Sequence, residues 1–159
     1  MSLAQQLLAE LQAAVGGAAQ TFSVTEGPRE LRCETTHCER LAVTVDALTL
    51  QTSELASVTV AQLQAASKDL CRRVNYLLEP ISPIETDAQG CSIQMRSNPP
   101  QRDDNGRRYY ELLLRRGGSV DLVRYEKQPG AARMRTTAVL THEVIGRLVD
   151  DFSTTVDSI

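Results

Sequence analysis

An α+β fold, with helices laid on an antiparallel sheet, is predicted by three observations. Apolar and polar residues alternate through residues 41–52 and 91–96, the period of a half-buried strand. Residues 59–78 and 141–152 instead repeat their apolar positions every three to four residues, the period of an amphipathic helix. Between the runs 107–116 and 119–127 stands Gly117-Gly118, which can supply the positive backbone dihedrals of a tight hairpin turn. These features predict an antiparallel sheet of about five to seven strands, two main helices packed on one of its faces, and a short N-terminal helix. At 159 residues the chain is sized for a single globular domain, 1–159, with a core of its own.

The N-terminal helix is read from Leu3, Leu7, Leu8, Leu11 and Val15, with Ser2 as its cap and Gly16-Gly17 as its stop. So narrow a stripe is marginal in isolation and has to dock on something. Residues 30–35 and 41–48 follow as strands. In the second, Leu41, Val43 and Val45 share one face and Ala42, Thr44 and Asp46 the other, with a bend expected near Ala47. Thr59 stands three residues ahead of Gln62, the spacing of a capping box, and opens the strongest helix. Its stripe runs through Val60, Leu63, Leu70, Cys71, Val74, Leu77 and Leu78 until Pro80 stops it. Lys68, Arg72 and Arg73 fall on the other side and are expected to face water.

Cys91, Ile93 and Met95 alternate with Ser92, Gln94 and Arg96 as a half-buried strand. Residues 98–106 read as a polar, mobile surface loop containing Pro99-Pro100 and Asn105-Gly106. With Gly117-Gly118 as a two-residue turn, the hairpin pairs Glu111 with Arg124 and Tyr110 with Tyr125, and leaves charge on both faces. Residues 133–140 predict a last strand. Thr141 then caps a final helix whose Val144, Ile145, Leu148, Val149 and Phe152 share a face. Gly146 costs that helix about 1 kcal/mol relative to alanine without breaking it, and the tail after Ser153 is expected to fray.

Charge is unevenly placed. Residues 96–135 hold ten basic residues, nine of them arginine, against five acidic ones, while the rest of the chain holds seven basic and fifteen acidic. The net charge of −3 therefore conceals a basic segment centred on the hairpin. Guanidinium groups interleaved with Tyr109, Tyr110 and Tyr125 suit carboxylate or phosphate partners and are common interface anchors. Arg108, Tyr110, Arg116, Arg124 and Tyr125 are accordingly the candidate binding residues.

No catalytic residues are indicated. Cys33, His37 and Cys38 are the nearest approach to a metal motif. Their Cys-x4-Cys spacing lacks a second, well-separated pair, and the adjacent His37 and Cys38 point apart on extended backbone, so no metal site is expected. His142, beside Glu143, reads as a solvated imidazole in the first turn of the last helix. Asp103-Asp104 and Asp150-Asp151 lack the spacing of paired catalytic carboxylates. The glycine pairs follow neither a GxGxxG nor a GxxxxGKS pattern, so no cofactor is indicated. The N-terminus carries no basic region ahead of a long apolar block, so the expectation is a cytoplasmic protein whose four cysteines are reduced thiols.

The reading that follows is a non-enzymatic protein-interaction or adaptor module whose partner is another protein or a second copy of the chain. The order and size of the elements are broadly similar to those of small secretion-chaperone-like domains, an analogy that no residue motif accompanies. Such a module would show an exposed apolar patch rimmed by arginine. The alternative is a small-molecule-binding domain or modest enzyme, marked by an enclosed pocket between sheet and helices. A weak single-stranded nucleic-acid binder is the third reading. Glu111, Asp121 and Glu126 disfavour it, because backbone binding needs a continuous basic stripe. Apolar runs of only a few residues exclude a membrane-spanning helix.

Overall fold

In the computed structural model, which describes residues 1–159, three α-helices accompany a mixed-length antiparallel sheet of ten strands. Helix α1 (Leu3–Ala13) starts where Ser2 accepts from the Gln5 backbone N–H while the Gln5 side chain accepts from the Ser2 N–H, a reciprocal cap. Thr59 and Gln62 do the same for α2 (Val60–Arg73), and Thr141 caps α3 (His142–Asp157) through the Val144 N–H. Helix α3 touches both α1 and α2. Gly146 serves the first of these contacts. A Cβ there would lie 3.0 Å from Leu8 Cδ1, and its absence lets α1 cross α3 closely.

The strands are β1 (Gln20–Glu26), β2 (Arg29–Cys38), β3 (Ala42–Thr52), β4 (Ile81–Asp87), β5 (Ser92–Ser97), β6 (Gln101–Asp103), β7 (Gly106–Arg115), β8 (Ser119–Lys127), β9 (Met134–Thr136) and β10 (Ala138–Thr141). The spatial order is β1-β2-β3-β8-β7-β5-β4, with β10 added to β3, β9 to β8 and β6 to β7. Strands β3 and β8 meet only over residues 48–51 opposite 119–122. Beyond that stretch the sheet forks. The chain enters the fork as β9 along β8, turns at Thr137, and leaves as β10 along β3. The bend expected near Ala47 is a register shift between β2 and β3, across which Val43, Val45, Leu48 and Leu50 all stay buried.

The central hairpin is shifted by one residue from the two-residue-turn expectation. Arg115, not Arg116, opposes Ser119, so Arg116-Gly117-Gly118 is a three-residue connection. Gly118 explains the choice. Its φ is +102°, its carbonyl accepts from the Thr52 N–H at 2.8 Å, and a Cβ on it would stand 2.7 Å from the Thr52 carbonyl oxygen. The turn is thus clamped against the end of β3, and a one-residue slip moves every pair. Leu112 faces Leu122 and Leu114 faces Val120, all four buried, which gives the hairpin a cleanly apolar side that the slipped register does not have.

Other expectations are corrected as well. The sheet has ten strands: β1 and β6 were not expected, and the single strand expected over residues 133–140 divides at Thr137 into β9 and β10. Residues 101–103, expected in a mobile loop, form β6 and pair with the start of β7. Helix α2 ends at Arg73; Val74 and Leu77 stay buried in the core from an irregular segment, while Leu78 turns outward with a φ of +65°. The three-to-four spacing therefore reported burial correctly at Val74 and Leu77 but not at Leu78, and helix length incorrectly. Arg73 does not face water. Its guanidinium binds Asp69, Asp151 and Thr155 and joins α2 to α3. The C-terminal tail does not fray at Ser153, since Thr155 and Val156 are buried and Arg29 holds Asp157 at 2.6 Å and Glu54 at 2.7 Å.

Gly118→Ala is expected to destabilise the fold by about 2 kcal/mol or more, from a strained positive φ and a backbone clash. Gly117→Ala, which meets open space, should stay within about 0.5 kcal/mol of wild type. Urea unfolding of the two variants checks the pair, and equal losses would contradict the clamp.

Candidate functional site: a cleft at the fork of the sheet

The fork opens a cleft of about 540 Å³ between the chain leaving α2, the proline ridge ahead of β6, and the free edge of β10. Its charged centre is Arg124 of β8. One Arg124 nitrogen, Nη2, donates to Glu79 Oε2 and to Gln101 Oε1, both at 2.9 Å, and the guanidinium lies over the Tyr110 ring at 4.2 Å. The Arg124 and Glu79 side chains are 8% and 12% exposed, so this is a buried ion pair and not a surface one. Burial pushes the Tyr110 phenol above its ordinary range, an effect the Arg124 charge opposes.

The pair is incompletely satisfied. Arg124 Nη1 and Glu79 Oε1 are both buried and both lack a hydrogen-bond partner. Buried polar atoms of native proteins are normally paired, so two orphans on one ion pair are unusual. Neither orphan has accessible surface to offer a ligand, and the pair's own charges cancel. Around them the rim is apolar: Leu78 is 97% exposed and Val139 69% exposed, with Pro99 and Pro100 opposite. Residues 137–139 supply the remaining wall, and β10 is hydrogen-bonded to β3 on one side only.

Three of the five candidate binding residues come together here. Arg108, Tyr110 and Arg124 line the cleft, with Arg108 exposed and 3.6 Å from Glu126. Tyr125 lies on the opposite face of the sheet, where its ring is 5.8 Å from that of Tyr109 and lies under Arg133 at 4.0 Å. Arg116 stands alone in the turn at the far end of the hairpin, its backbone N–H donating to the Cys91 carbonyl. The expected pairs Glu111/Arg124 and Tyr110/Tyr125 do not form. Glu111 binds Arg133 at 3.0 Å and Gln94, and Tyr125 opposes Tyr109. On that second face Glu34, Glu111 and Asp121 interleave with Arg115, Arg133 and Arg135, so it is no continuous basic platform.

Glu79, Leu78, Val139 and Gln101 escaped the sequence reading. Glu79 is far from Arg124 in the chain and shares no periodic pattern with it. The one local signal was a carboxylate set between Leu78 and Pro80, where a helix was expected to end.

The cysteine–histidine group does not assemble. Cys33 and Cys38 are buried in the core while His37 is exposed, and no cluster of three metal-binding side chains exists in the chain. Burial, helped by Cys38 and nearby carboxylates, pushes the Cys33 thiol up to about 12, and burial lifts Cys71 to about 11. Neutral, inaccessible thiols are poor nucleophiles and poor ligands. His142, expected as a solvated imidazole, is half-buried: its Nε2 donates to the Glu39 carbonyl at 2.8 Å and its Nδ1 is buried without a partner. No helix is long and apolar enough to cross a membrane. No family model, curated protein or solved structure matches the chain.

Two outcomes follow from these environments. Glu79→Gln leaves the Arg124 charge buried without a counter-ion and should cost about 3 kcal/mol, whereas Glu79→Leu combined with Arg124→Leu should recover most of it. Equilibrium unfolding of the single and double variants measures this, and a harmless Glu79→Gln would show the pair to be solvated. The thiols ionise more readily in the unfolded chain. Their stabilisation is complete below the ordinary thiol value of 9.0 and is lost as pH rises towards 12. Cys33→Val should therefore flatten the decline in unfolding free energy between pH 8 and pH 11, and an unchanged slope would contradict this.

Proposed function

We propose that this chain is a non-enzymatic protein-interaction module that takes an extended segment of a partner polypeptide into the forked cleft. The observation that carries the reading is an exposed apolar rim, Leu78 and Val139, beside a strand edge, that of β10, which is paired on one side only. A free anion fits less well, since the arginine charge is already neutralised by Glu79.

The surroundings favour a polypeptide in the same way. Leu78, Val139 and the Pro99-Pro100 ridge offer apolar area for side chains of the bound segment. The unpaired edge of β10 offers main-chain hydrogen bonds, as in recognition by strand addition. The cleft is open at the end of the sheet and holds no cysteine, and its one exposed arginine, Arg108, is a rim charge. A second copy of the chain is one possible source of the segment, and a different protein is the other.

Photo-crosslinking in native cells tests the proposal, with a benzophenone amino acid at Val139 and, as a control, at Lys68 on the exposed side of α2. The expected result is a conjugate from Val139 alone, mapping to one segment of one polypeptide and lost on Leu78→Ser with circular dichroism unchanged. Equal conjugates from both positions, or conjugates that survive Leu78→Ser, would contradict it.

A further inference from the structure

We infer that the far end of the β6–β7 ribbon, on the face away from the cleft, is a binding site for a phosphate group. The observation is independent of the cleft. Arg102 of β6 stands directly opposite Arg107 of β7, and Arg107 stands directly opposite Lys127 of β8. Directly paired residues of adjacent strands project to the same side, and like charges in that position repel. Three cations are therefore set in a row across three strands, and none of them takes part in any of the chain's ion pairs.

A fourth cation converges on them. Arg96 of β5 joins Arg102 and Arg107 around a hollow of about 190 Å³ whose remaining polar lining comes from Ser97, Asn98 and Tyr109, with no acidic residue. None of the nearby carboxylates forms an ion pair with the group. Glu111, which opposes Arg96 in the ladder, is held by Arg133 and Gln94. Asp103 accepts from the Asn105 N–H within its own turn, and with Asp104 it borders the neighbouring hollow, which Arg102, Arg107 and Lys127 also line. Lys127 donates to the Ala131 carbonyl at 2.8 Å. Arg96 is anchored over the Tyr109 ring at 5.7 Å, which fixes one wall of the site.

An arrangement that repels itself when empty is relieved by a counter-ion held between its members. A phosphate matches it better than a carboxylate, because a phosphate monoester carries about two negative charges near neutral pH and three peripheral acceptor oxygens. Each guanidinium can present paired N–H donors to such oxygens. The hollow has room for the group and for the start of whatever carries it.

The test is thermal melting with a binding titration, on wild type, Arg102→Gln, Arg107→Gln and the remote Arg116→Gln. In sodium chloride the first two variants should melt at or above wild type, since each relieves repulsion. In sodium phosphate of matched ionic strength, wild type and Arg116→Gln should gain in melting temperature while Arg102→Gln and Arg107→Gln gain nothing. Phosphorus NMR titration should show at least tenfold weaker phosphate binding in those two. Phenyl phosphate binding more tightly than inorganic phosphate would identify a phosphate ester as the natural ligand, and equal affinity would identify free phosphate. Equal stabilisation of all four proteins by phosphate, destabilisation of Arg102→Gln and Arg107→Gln in chloride, or preferential binding of a single-stranded oligonucleotide lacking terminal phosphates would overturn the site.

Discussion

The register of the β7–β8 hairpin, held by the packing of Gly118 on the Thr52 carbonyl, is the constraint on which the rest of the structure depends. Because side chains alternate with a period of two, a single-residue slip exchanges the faces of one strand relative to the other. In the register that forms, Leu112, Leu114, Val120 and Leu122 enter the core together. The same step carries Arg124 to the side of these core residues, where Glu79 meets it, and places Tyr109 and Tyr125 together on the other side. A turn residue therefore decides both how the core packs and which arginines share a face.

The basic segment is divided by this arrangement into parts with different chemistry. Arg124 is neutralised and buried, Arg115 and Arg133 are paired to Asp121 and Glu111, and Arg96, Arg102 and Arg107 have no carboxylate partner. The short β6–β7 ribbon separates two environments. One side borders an apolar-rimmed cleft over a buried ion pair, and the other bears guanidinium groups that form no ion pair. Net charge for the segment describes neither.

Legibility in the sequence followed the range of the interaction. Helix starts were readable because a cap is a contact between residues three apart, as at Ser2, Thr59 and Thr141. Burial was readable where one face dominates, as at Ile93 and Met95 or Ile145, Leu148 and Phe152. The end of α2 was not, because Val74 and Leu77 keep their burial after the helix has stopped. The hairpin register was not, because it rests on a contact between Gly118 and Thr52 of a different strand. For the same reason the Arg124–Glu79 pair was invisible while Arg108, Tyr110 and Arg124 were still singled out by composition. The C-terminal turn was misread because Arg29, more than a hundred residues earlier, secures it through Asp157.

The central claim is that the hairpin is set one residue away from the two-residue-turn alignment, which places Arg124 beside Tyr110 and Glu79. Nuclear Overhauser spectroscopy of the aromatic rings and arginine side chains measures this directly. The account expects ring-to-ring contacts between Tyr109 and Tyr125, together with contacts from the Arg124 δ-protons to the Tyr110 ring. Ring contacts between Tyr110 and Tyr125, with Arg124 close to Glu111, would contradict it.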